Sequence, residues 1–144
     1  MYFDLQYLLA PAAVLVFVLA RAIFARCGML HFEKKRFHQS LQYLSWARAL
    51  CASLEYCLTL AYAFCYLGRY IEAEQEIKRF SRGYKGKDRD QRLALAWISA
   101  GSIAFENGKY ETSIGFFLNG MIYGDENYLL QAANFIDVAT TLKS

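Results

Sequence analysis

Two histidines, four cysteines and an alternating run of glutamates are the residues of this 144-residue chain whose types could do chemistry. Cys27 and His31 stand four apart, so a helix would turn both toward one face, as in half of a metal site. A zinc needs three or four protein ligands, and no further pair lies nearby, so no metal is expected. Cys27, Cys51, Cys57 and Cys65 show no CxxC spacing and sit among apolar residues. There a free cysteine behaves as a small hydrophobe, and all four are expected to be reduced thiols on the cytoplasmic side of a membrane. Glu72, Glu74 and Glu76 read as one solvated face of a charged helix. His31 and His38 flank a proposed turn, and no Ser/His/Asp order, HExxH, phosphate-binding loop or dinucleotide fingerprint accompanies them. Without a nucleophile and its base, the chain is expected not to be an enzyme and to carry no cofactor. A net charge of +3 is too small to imply a nucleic-acid partner.

The elements that would position any site are helical. The chain is 56% hydrophobic, with one proline and nine glycines, and is rich in Leu, Ala and Tyr. Residues 5–20, LQYLLAPAAVLVFVLA, carry no charge. Extending the run through Arg21 to Ala25 makes about 31 Å of helix, one hydrocarbon thickness. A signal peptide would want early positive charge, whereas the early charge is Asp4. A buried core helix also fits a run this short, in a soluble all-α protein. The expectation taken forward is a transmembrane anchor over 1–26, in the lipid bilayer through residues 5–25. Arg21, Arg26, Lys34, Lys35 and Arg36 follow the span and are expected at the membrane interface. By the positive-inside rule the N-terminus is then outside and the rest cytoplasmic.

Two turns recur, Leu67-Gly68-Arg69-Tyr70 and Asn107-Gly108-Lys109-Tyr110. Upstream of Tyr110 stand Trp97, Ala100, Gly101 and Ala104; downstream stand Ser113, Ile114, Phe117 and Gly120. The same offsets from Tyr70 give Cys57, Leu60, Ala61 and Phe64, then Ala73, Glu74, Ile77 and Phe80. Small residues on facing sides let two antiparallel helices approach, while the glycine ends the first helix in a left-handed conformation. A weaker third copy places Gly28, Lys35, Phe37, Ser40, Leu44 and Ala47 at corresponding positions, with Lys35 at the turn glycine. Helices are expected at about 4–26 running on through 21–33, then 36–49, 53–67, 70–83, 90–106, 110–123 and 126–142. Residues 81–91, SRGYKGKDRDQ, read as an elongated charged loop.

The spacing resembles the tetratricopeptide repeat, a helix–turn–helix unit of 34 residues. Trp97, Gly101, Gly108, Tyr110 and Phe117 carry the resemblance in one unit, and Leu60, Ala61, Phe64, Gly68, Tyr70 and Ala73 in another. It implies an all-α fold: the transmembrane helix, then about three helical hairpins and a C-terminal capping helix, with the α-solenoid occupying 21–144. It also implies a concave partner-binding face made by first helices, here Glu55, Leu58, Tyr62, Tyr66, Leu95, Ile98, Ser102 and Phe105. That strip is apolar and aromatic and lacks the Lys/Asn/Arg set that clamps a peptide carboxylate, so an apolar helix or peptide is the expected ligand. The alternative is that these residues pack into the array's own core. Two functions follow: a scaffold recruiting other proteins at the cytoplasmic face of a membrane assembly, or a permanent accessory subunit of a large membrane complex with no exchangeable ligand. The layout is similar to bacterial inner-membrane and outer-mitochondrial repeat proteins, and the absence of targeting features favours the bacterial setting.

Overall fold

The computed structural model describes residues 5–50 and 53–144, and side chains from residue 10 onward. Every regular element among them is helical, in the order α1 (Leu5–Glu33), α2 (Phe37–Leu50), α3 (Cys57–Tyr66), α4 (Tyr70–Gly83), α5 (Arg89–Glu106), α6 (Tyr110–Met121) and α7 (Glu126–Lys143). The chain divides into two compact units, one ending at Ser53 and one running from Leu54 to Ser144. Asp4, the first residue of the expected anchor helix, and Cys51 lie outside the described residues.

In the first unit α1 is one continuous helix of 29 residues, about 43 Å long. Pro11 is its seventh residue, inside the helix, where it removes a single backbone donor. The chain reverses at Lys35, whose φ is +57°. The Lys35 N–H donates to Phe32 O at 2.9 Å and the Arg36 N–H to His31 O at 2.8 Å, satisfying carbonyls that the end of α1 leaves open. Helix α2 then returns along α1. Gly28 lies so close to α2 that an added Cβ would sit 2.6 Å from the Leu44 side chain.

The second unit repeats this local arrangement twice. Gly68 and Gly108 take φ +73° and +72°. Around them Arg69 N–H donates to Phe64 O at 2.8 Å, and Lys109 N–H to Ala104 O at 2.9 Å. These are the same six-residue closures as Arg36 to His31. Seven residues before each turn residue stands a small buried one: Gly28, Ala61 and Gly101. Five after it stands another, Ser40, Ala73 or Ser113, and nine after it a large one, Leu44, Ile77 or Phe117, all fully buried. The small residues open a slot for the large side chain from the returning helix. A Cβ on Gly101 would lie 2.8 Å from the Phe117 ring, as one on Gly28 would crowd Leu44. Ser113 Oγ donates to Gly101 O at 2.8 Å, satisfying its hydroxyl inside the slot.

Lys35 holds with a side chain what two glycines do without one. A left-handed L-residue costs roughly 1–2 kcal/mol. Lys35→Gly is therefore expected to raise stability by about 1 kcal/mol, and Gly108→Ala to lower it by a similar amount, read by denaturant unfolding in detergent. Equal small losses in both variants would show that the turn conformation carries no strain.

The core of the second unit joins its hairpins. Cys57, Ala61 and Cys65 of α3, Ile77 and Phe80 of α4, Trp97 and Ala100 of α5 and Phe116 of α6 form one cluster. Helix α7 adds a second cluster, with Ala132 buried against Ile98 and Phe117, and Phe135 stacked on Phe117 at 4.9 Å.

Three local expectations are corrected. Helix α3 begins at Cys57, not at 53, because Leu54 turns in to cover the bare backbone of Gly83; a Cβ there would be 2.5 Å from it. Within 81–91 the irregular part is only 84–88: α4 runs to Gly83, as expected, and α5 starts at Arg89, one residue before the expected 90. Between them Tyr84 stacks on Phe80 at 4.7 Å, its hydroxyl donates to Asp88 Oδ1 at 2.7 Å, and Arg89 Nη2 donates to Ser81 O at 2.8 Å. These bonds make a short fixed connector. Finally, the three glutamates do not share a solvated face. Glu72 pairs with Arg69 and Glu74 with Lys78 at the surface, while Glu76 is 6% exposed and reached by Arg79 Nη1 at 3.4 Å. Steps of two residues turn a helix by about 200°, and Glu76 falls beside Ala73, Ile77 and Phe80.

Candidate functional site

The first helices of the two C-terminal hairpins, α3 and α5, pack side by side, and α7 follows α5. Along α5 the residues turned away from the core are Gln91, Leu95, Ser99, Ser102 and Glu106, spaced one helical turn apart. Helix α3 contributes Leu58, Tyr62 and Tyr66. Tyr62 and Ser99 hydrogen-bond across the two helices, and burial pushes the Tyr62 phenol above its ordinary range. The hydroxyl thus stays protonated and ties α3 to α5.

The eight expected partner-binding residues fall into four groups. Tyr66 is 47% exposed and Leu95 49% exposed. Leu58, Tyr62, Ser102 and Phe105 are half-buried. Ser102 spends its hydroxyl on Ile98 O at 3.0 Å. Ile98, at 4% exposed, is not on a surface at all, because α7 covers it. Glu55 is exposed but lies in the turn before α3 rather than on it.

Phe105 belongs to a different feature. Its ring meets Tyr110 edge-on at 5.4 Å and Phe135 at 5.8 Å. Together with Gln131, Asn134, Phe135 and Val138 it lines an open groove of about 310 Å³ between α5 and α7. The α7 contributors were not anticipated. Their sequence signal was Phe135 and Val138, apolar residues on a helix taken to be merely solvating. The groove is apolar, with two side-chain amides to orient a bound backbone.

Among the described residues no three of His, Cys, Asp and Glu converge as metal ligands. His31 stacks on Tyr43 at 5.2 Å. Cys57 and Cys65 are buried free thiols, and burial pushes the Cys65 thiol up to about 12, so it packs rather than reacts at neutral pH. In the connector, the Tyr84 hydroxyl and Arg92 hold Asp88 below the usual carboxylate range.

The other surface is α1. Ala10–Glu33 is a described stretch long and apolar enough to cross a bilayer, with mean hydropathy 2.0, and little of it is buried. Val14, Leu15, Val16, Phe17, Val18 and Leu19 are all exposed. Because α1 is unbroken to Glu33, the five basic residues separate along it. Lys34 lies about 20 Å beyond Arg21 along the axis. No known protein family and no curated protein matches this chain.

Proposed function

We propose that the protein is a membrane-anchored helical-repeat scaffold of the tetratricopeptide kind. Its α1 enters the bilayer, and its C-terminal hairpins present an apolar docking face to protein partners on the cytoplasmic side. The observation carrying this reading is the threefold recurrence of one turn and one packing slot, at Lys35, Gly68 and Gly108. Recurring hairpins supply an extended surface rather than an enclosed pocket, which suits docking rather than catalysis. In this reading α7 closes the array, and the partner is an apolar helix or peptide laid on Tyr66 and Leu95 and into the Phe105–Phe135 groove. Arg21 and Arg26 beyond the span support the cytoplasmic orientation.

A second reading, a permanent subunit of a larger membrane complex, draws on another observation. Ile71 of α4 and Ile122, just after α6, are 71% and 74% exposed, and Leu118 of α6 is half-exposed. Such side chains suit permanent cover.

Mild-detergent extraction of tagged protein, with native sizing and mass spectrometry, separates the two. A scaffold yields a small particle with companions of variable stoichiometry. A permanent subunit yields a large particle of constant composition. The double variant Tyr66→Ala, Leu95→Ala locates the face. Both side chains are half-exposed, so unfolding should shift by no more than about 0.5 kcal/mol each. Companion recovery is expected to drop; unaltered recovery would remove this face from consideration.

A further inference from the structure

We infer that Trp46 and Tyr43 of α2 lie in the headgroup layer of the bilayer that α1 enters, so that the α1–α2 hairpin, and not α1 alone, sets the depth of the protein. The inference rests on the membrane-anchor reading above and adds a second membrane-contacting element to it.

The aromatic contacts trace the path of α2. Phe37 meets Phe32 at 5.6 Å, Tyr43 stacks on His31 at 5.2 Å, and Trp46 meets Phe24 edge-on at 5.4 Å. Each step along α2 therefore moves back down α1 toward the uncharged run. Phe24 is one residue before Ala25, where the span of about 31 Å ends, so Trp46 stands level with that end, at the boundary between hydrocarbon and headgroups. Headgroup layers are roughly 5–8 Å deep on each side of the hydrocarbon. Leu50, the last residue of α2, comes level with the end of the run by the same rise per residue.

The residue types match the layer. Tyr43 and Trp46 pack edge-on at 5.6 Å, forming with Phe24 a compact aromatic group. Trp46 nevertheless stays 44% exposed, presenting a large ring with one polar edge. Such amphipathic rings favour the boundary between hydrocarbon and water. Arg26 is exposed near the same level and suits anionic headgroups. The occupant of this aromatic face is thus the bilayer whose interior the exposed part of α1 occupies, since Phe24, against which Trp46 packs, lies on the same unbroken helix as that span.

The test uses the full chain in phosphatidylcholine–phosphatidylglycerol vesicles with acyl chains brominated near either the carbonyl end or the methyl end. Trp97, 3% exposed in the core, serves as the internal reference. The expected result is loss of emission that is larger with the shallow bromines, and removal of that quenchable component in Trp46→Phe. If the protein floats with the vesicles but neither bromine position quenches Trp46, the inference is overturned while the anchor stands, and Trp46 is left for a protein partner. Stronger quenching by the deep bromines also overturns it, placing α2 within the hydrocarbon. Failure to float at all overturns the anchor reading and the inference with it.

Discussion

Phe117→Ala is expected to cost about 4 kcal/mol, a large part of the stability of the C-terminal unit. Phe117 is fully buried in the slot that Gly101 opens, and its ring stacks on Phe135 of α7 at 4.9 Å with the planes 14° apart. Truncation therefore leaves a cavity between α5 and α6 and also removes the platform on which α7 sits. A unit running from Leu54 to Ser144 has a stability on the order of 9 kcal/mol at about 0.1 kcal/mol per residue, so the expected loss removes close to half of it. Thermal unfolding followed by circular dichroism in detergent should show a midpoint far below that of the parent. Leu130→Ala, at an exposed position on the same helix α7, should melt like the parent. A Phe117→Ala protein with a near-parental midpoint would mean that α7 and the last hairpin do not depend on this slot.

The double substitution Val14→Lys, Phe17→Lys is expected to abolish membrane retention. Both side chains are exposed on the uncharged part of α1, more than 20 Å from the Lys34–Arg36 turn. Each lysine near the middle of a span opposes insertion by about 3 kcal/mol. Two of them overcome the favourable contribution of a run no longer than residues 5–20. After an alkaline carbonate wash the parent should remain in the membrane pellet and the variant in the supernatant. Equal retention of both proteins would point to a membrane attachment that does not run through α1. A parent already soluble without detergent would support the buried-helix alternative.

Much of the architecture could be read from local pattern. The periods of Tyr70–Gly83, Tyr110–Met121 and Glu126–Lys143, and the glycines at 68 and 108, depend on near neighbours in sequence, and the helices and turns formed where those patterns lie. Lys35 was identifiable as a turn residue by its offset from Phe37, Ser40 and Leu44 although its type argues against a left-handed conformation. The errors share a different origin. The charged, glycine-containing stretch 81–91 reads as a longer loop than the one that forms between Gly83 and Arg89. Arg89 instead closes the connector onto Ser81, and its guanidinium lies 5.9 Å from the Tyr123 ring. Glu76 was grouped with its exposed neighbours because alternation was read without the helical rotation it implies.

The candidate site was less legible than the fold. Ile98 sits at the offset of a docking residue, yet α7 covers it, and the same helix turns Phe105 from a member of an open strip into one wall of a groove.

The sequence by itself determined that the described chain is helical, that its first helix carries an uncharged, lipid-compatible run, and where each hairpin turns. Those properties follow from residue type, from a period of 3.6 and from the few positions that tolerate positive φ, all of which act over a handful of residues. Only the tertiary structure decided that α2 lies back along α1 with Trp46 beside Phe24, and that α7 closes over Ile98 while Tyr66 and Leu95 stay half-exposed. A helix has several apolar faces to offer. Which of them is buried depends on the helix that arrives against it from elsewhere in the chain.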